Sequence, residues 1–260
     1  MDKISRRAFL KAAGAAAAGL TTEAGTLAVA ATPTAKPGGA PSAGRSTSQR
    51  AGPYLFFNAR EAAFIEAAVA RLIPNDETGP GALEAGVPSF IDKQLAGAWG
   101  AGERLYRSGP WQAGKPTQGY QLPFTPAELF RNALRAIDDD LRKSGRALAK
   151  MTLQDQDAYL KSLQDGTGTA DLNGVPSNVF FESLLEMTIE GYFSDPVYGG
   201  NKDMAAWKML GFPGAYANFY DLVDRHGISY TRVPMSLAED NAGHVTVHPD
   251  IPADVRGKGK

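Results

Sequence analysis

The 260-residue chain contains no cysteine. That absence excludes a disulfide framework, a thiolate zinc site, a cysteine-ligated iron–sulfur cluster and covalently attached c-type haem within the chain itself. Imidazole is scarce as well: His226, His244 and His248 are the three histidines, all in the last fifth. Charge of one sign is also missing, with 27 Lys+Arg against 28 Asp+Glu and a formal net charge of -1. This argues against a broad basic surface, so no nucleic-acid partner is expected. There is no Walker loop, no complete G-x-G-x-x-G, no G-x-S-x-G elbow and no H-E-x-x-H. A chain this poor in ligands has few ways to run redox or hydrolytic chemistry by itself.

What is present begins with an export signal. Lys3, Arg6, Arg7 and Lys11 make a basic start, Ala12–Leu20 is weakly apolar, and Ala28-Val29-Ala30 fits a small-residue cleavage pattern. As helix, the apolar part would reach roughly 14 Å, well short of the ~30 Å hydrocarbon core. Ser5, Arg6, Arg7, Phe9, Leu10 and Lys11 fill every defined position of the twin-arginine signal, S/T-R-R-x-F-L-K, which the segment closely resembles. These are the expected targeting residues. The resemblance predicts a signal over 1–30 and delivery to the periplasm by the twin-arginine translocase. That route carries proteins already folded, typically with a cofactor in place, which sits oddly with a chain lacking an evident cofactor site.

Residues 31–53 are mostly small and polar and read as a flexible linker. An all-α body follows, a single helical domain over 54–225 with long irregular loops, and then an irregular tail over 226–260. Asn58 with Glu61 predicts a capping box, and Phe64, Ile65, Ala68, Val69, Leu72 and Ile73 fall on one helix face before Pro74. A second helix is expected over 87–96. Thr125-Pro126-Ala127-Glu128 is another box with proline in the first turn. Thr152 predicts a cap ahead of Tyr159, Leu160 and Leu163. Ser177 is read as the cap of an almost wholly apolar helix to Phe193, expected at the centre of the core. Asn201 is read as the cap of a last helix to Leu210, with a further turn over 216–223. The loop over 97–123 carries Trp99, Tyr106, Trp111 and Tyr120, whose rings call for burial against something.

Several clusters have bland readings. Asp138-Asp139-Asp140 reads as a solvated helix face. Asp171-Leu-Asn173-Gly174 lacks the distal glutamate of a calcium loop. His244 and His248 flank a strand-like Val-Thr-Val, unsuited to a shared metal. Richest is Gly191 to Gly214, where Asp195-Pro196 and Gly199-Gly200 fix tight turns among aromatic residues. Asp195, Tyr198, Asn201, Trp207 and Phe212 are the expected partner-contact residues. The alternatives are a small periplasmic enzyme, a hydrolase or isomerase acting through Asp195, Tyr198 or His226, and a stand-alone binding module using the aromatic loop over 97–123 for a sugar.

Here the residues reach a family. Arg71-Leu-Ile-Pro74, Gly79-Pro-Gly-Ala82, Phe90-Ile-Asp92, Gly191-Tyr-Phe-Ser-Asp-Pro196, Tyr198-Gly-Gly-Asn201 and Trp207-Lys-Met-Leu-Gly-Phe-Pro-Gly214 resemble the gluconate 2-dehydrogenase subunit 3 family. The resemblance covers roughly 54–220. It implies a non-catalytic small subunit, with no catalytic, metal or cofactor-binding residues to carry over. The expected partner is a large FAD-dependent dehydrogenase subunit of the glucose–methanol–choline type. A multihaem cytochrome c subunit often takes the electrons onward, so that FAD and any iron–sulfur or c-type haem centres belong to partner subunits. It further implies that the small subunit supports maturation and export of the flavin subunit and stays bound to it, peripheral to the inner membrane.

Overall fold

A computed structural model describes residues 54–106, 108–112, 114–115, 121–215, 224, 226–227 and 233–237. The signal, the linker, the turn expected over 216–223, Tyr120, His244 and His248 lie outside the described residues. Among the described residues six α-helices carry the body: α1 (Ala59–Leu72), α2 (Val87–Ala96), α3 (Pro126–Lys143), α4 (Leu153–Gln164), α5 (Ser177–Phe193) and α6 (Ala205–Leu210). Short 3-10 turns occur at Leu148–Lys150, Pro196–Tyr198 and Lys202–Met204. The class is all-α as expected. Among the described residues β-structure is limited to isolated bridges, and no helix is long and apolar enough to cross a membrane.

Local chemistry starts the helices. Asn58 Oδ1 accepts from the amides of Arg60 and Glu61 at 2.9 and 3.0 Å, and the Glu61 carboxylate accepts from the Asn58 amide at 2.9 Å. Thr125 and Glu128 exchange the same pair of bonds at the head of α3. Thr152 Oγ1 accepts from the Asp155 amide. Helix α1 ends at Leu72, ahead of Pro74, which has no amide hydrogen to continue the ladder.

Two starts differ from expectation. Ser177 is the first residue of α5 rather than its cap, Pro176 precedes it, and no side chain caps the end. The Ser177 hydroxyl is buried and donates to the Leu163 carbonyl at 3.0 Å, tying α5 to the end of α4. The last helix begins at Ala205, because a 3-10 turn separates it from Asn201.

Helix α5 is central. It packs against α1, α2, α3, α4 and α6. Phe180, Phe181, Leu184, Met187 and Tyr192 are buried. The Phe180 ring meets Phe130 of α3 edge-on at 5.3 Å and Phe64 of α1 at 6.4 Å. Such contacts lock the helix against rotation as well as burying apolar area.

The chain enters this core through a buried carboxylate. Asp92 Oδ2 accepts from the Leu55 amide at 2.7 Å, and Oδ1 accepts from the amides of Phe56 and Phe57 at 2.9 Å each. Arg131 lies 4.0 Å over the Phe56 ring, donates to the Phe56 carbonyl at 2.7 Å and pairs with buried Glu61. Residues 54–57 are thereby fixed across α1, α2 and α3 before the first helix begins.

Candidate functional site

The segment after α5 folds into a corner that needs glycine twice. A Cβ on Gly191 would lie 2.7 Å from the Phe90 ring, and one on Gly200 would overlap the Gly191 carbonyl oxygen. Phe90 of α2, the end of α5 and the returning chain therefore meet without an intervening side chain. Asn201 follows in the left-handed region at φ 44°, as do Asp203 and Met204 at 58° and 53°. Three non-glycine residues in that conformation within four positions are held only by strong local partners.

Asn201, one of the residues read from sequence as a contact residue, has such partners. Asn201 is 0 % exposed; its Nδ2 donates to the Ser194 carbonyl and its Oδ1 accepts from the Ala206 amide, each at 2.9 Å. It thus serves the first turn of α6 from a distance. Trp207 is buried, donates Nε1–H to the Phe193 carbonyl at 2.9 Å and meets the Phe212 ring edge-on at 5.3 Å. Asp195 is buried, and its Oδ1 accepts from the Val197 amide at 3.0 Å. These three residues build the corner from inside. Tyr198 and Phe212 are its surface, 51 % and 47 % exposed. His226 lies exposed in a turn.

Asp195 has further partners that sequence reasoning missed. Its Oδ1 also accepts from the Ser236 hydroxyl at 2.6 Å, and its Oδ2 accepts from the Leu237 amide at 2.8 Å. Residues 233–237, placed by the sequence in an irregular tail, therefore join the helical body. The sequence carried no local signal for this, because the contact spans 41 positions.

Elsewhere the polar clusters are occupied with one another. A cleft of 460 Å³ is lined by Asp140, Arg146, Asp155, Tyr159, Ser162 and Thr169, among others. The Tyr159 hydroxyl faces Asp140 at 3.5 Å, Ser162 donates to the Tyr159 carbonyl and Asp155 accepts from Thr152. Burial, reinforced by the Asp140 charge, holds the Tyr159 phenol well above its ordinary range. Asp138 lies 3.6 Å from Arg60 and Asp139 3.2 Å from Arg142. Asp171 closes a turn by accepting from the Gly174 amide at 2.6 Å. In the loop after α2, Trp99, Tyr106 and Trp111 are exposed, where the sequence suggested rings seeking cover.

No curated protein and no solved structure matches the chain. A family model does: Gluconate 2-dehydrogenase subunit 3 matches residues 59–214, all six helices and the corner up to Gly214. With the match running from the first residue of α1 to the glycine beside Trp207, the chain belongs to the gluconate 2-dehydrogenase subunit 3 family.

Proposed function

We propose that this chain is the non-catalytic small subunit of a periplasmic FAD-dependent sugar or alcohol dehydrogenase, and that it escorts the flavin subunit through the twin-arginine route. The flavin subunit, of the glucose–methanol–choline type, holds the FAD and the substrate site. The observation that carries the reading is the Ser5–Lys11 signal on a chain whose body belongs to a dehydrogenase-subunit family. A signal for folded cargo on a cofactor-poor chain makes physical sense when the loaded cofactor sits in a bound partner. The corner supports a contact role: Tyr198 presents aromatic area from a turn closed by Asp195, and Phe212 from a backbone tied to the Trp207 carbonyl, so little conformational entropy is lost on binding. The test replaces Arg6-Arg7 by Lys-Lys and follows the flavin subunit by fractionation. Retention of both subunits in the cytoplasm is expected. Full delivery of the flavin subunit to the periplasm would sink the escort role.

A further inference from the structure

Asp195 holds two segments that are far apart in sequence. On one side it closes its own turn through the Val197 amide; on the other it takes the Ser236 hydroxyl and the Leu237 amide. A second set of bonds runs alongside. The Met235 amide donates to the Pro213 carbonyl at 3.1 Å, and the Ala215 amide donates to the Met235 carbonyl at 2.7 Å. Gly214 and Met235 thus form a parallel bridge. Gly214 makes this approach possible: its φ is +77°, and a Cβ there would overlap the Met235 carbonyl oxygen and lie 2.8 Å from the Trp207 ring. Four hydrogen bonds, two of them to a carboxylate, hold the stretch 233–237.

We infer that residues 233–237 form a strap latched by the Asp195 carboxylate, and that closing the latch assembles the outer face of the corner. Ser236 is buried under the latch, while Val233 and Leu237 are 71 % and 69 % exposed. Leu237 is carried to the carboxylate from which the Pro196–Tyr198 turn starts, and Met235 to the backbone next to Phe212. The closed strap therefore sets exposed Leu237 at the start of the turn that ends in Tyr198. The Val233 and Leu237 side chains lie mostly in solvent, so the strap opens separately from the helices. The latch is a property of this chain alone and stands whether or not the proposed partner is correct.

Amide hydrogen exchange on the full chain tests it. Protection is expected at Ala215, Met235 and Leu237 in the wild type. Asp195→Asn keeps an acceptor for Val197 but offers an N–H toward the Leu237 amide, and Ser236→Ala removes the hydroxyl alone. In each, exchange at those three amides should rise about tenfold or more while α5 keeps its protection. Should Asp195→Asn unfold, Ser236→Ala carries the test. Free-peptide exchange at Met235 and Leu237 in the wild type overturns the latch. So does unchanged protection in both variants, and so does loss across α5 in Ser236→Ala, which would make the contact part of the core.

Discussion

Replacing Asp92 by alanine removes the acceptor for three consecutive amides. Asp92 is 2 % exposed, and the amides of Leu55, Phe56 and Phe57 reach it at 2.7, 2.9 and 2.9 Å. The three do not lose equally. The Phe57 bond is buried, so its orphaned amide costs about 1–3 kcal/mol. Leu55 is exposed and Phe56 half-buried, so water recovers much of their loss and each costs about 0.5–1 kcal/mol. Asp92→Ala is therefore expected to destabilise the body by about 2–5 kcal/mol. Asp92→Asn keeps one acceptor oxygen for Phe56 and Phe57 and should cost about 1–2 kcal/mol. Urea unfolding of the chain measures both, from the midpoint at constant slope. A cycle with Arg131→Ala adds a check, because Arg131 holds the same Phe56 through its carbonyl and ring. The two substitutions should couple by at least ~0.5 kcal/mol. An Asp92→Ala cost below ~1 kcal/mol would refute the reasoning, since the carboxylate would then be replaceable by solvent.

Other consequences are open to measurement. Gly200→Ala puts a Cβ into the backbone of Gly191, whereas Gly191→Ala presses on the Phe90 side chain; both should destabilise, by about 1–3 kcal/mol or more, with Gly200→Ala the worse, as thermal melts would show. The Tyr54 phenol is held above its ordinary range by burial first and by donation to Glu66 at 2.7 Å second. The unfolded chain ionises earlier, so this stabilisation is complete below about pH 10 and is lost as pH rises beyond it. Tyr54→Phe should flatten that alkaline loss, and an unchanged slope would refute the assignment. Tyr198→Ser should leave stability within ~0.5 kcal/mol, Phe212→Ser should cost about 1 kcal/mol through its lost contact with the Trp207 ring, and the two together should weaken capture of the proposed flavin subunit about tenfold. Undiminished capture would place the contact elsewhere.

Legibility followed the range of the interactions. The capping boxes at Asn58 and Thr125 lie within three residues of their partners, so their offsets are visible in the sequence. The burial of α5 was visible in its composition. Ser177 misled because its hydroxyl finds a carbonyl fourteen positions away, a partner that competes with local capping and leaves no local trace. Asp92 was half legible: three residues before buried Leu95, it falls on the apolar face of α2, and an acid there calls for a buried partner. Asp195 and Asn201 looked like surface turn residues because their types are typical of turns. Only the fold shows that their side chains point inward and reach distant backbone.

The clamp at Asp92 has a mechanical consequence. A pull on the chain ahead of Tyr54 does not meet the first turn of α1. It meets three amides gripped by one carboxylate, with Arg131 pinning the Phe56 carbonyl among them. Load is shared among parallel bonds and passed into α2 and α3, so the helices are not peeled one turn at a time. A body built this way tolerates being towed by its leading end while its interior stays packed.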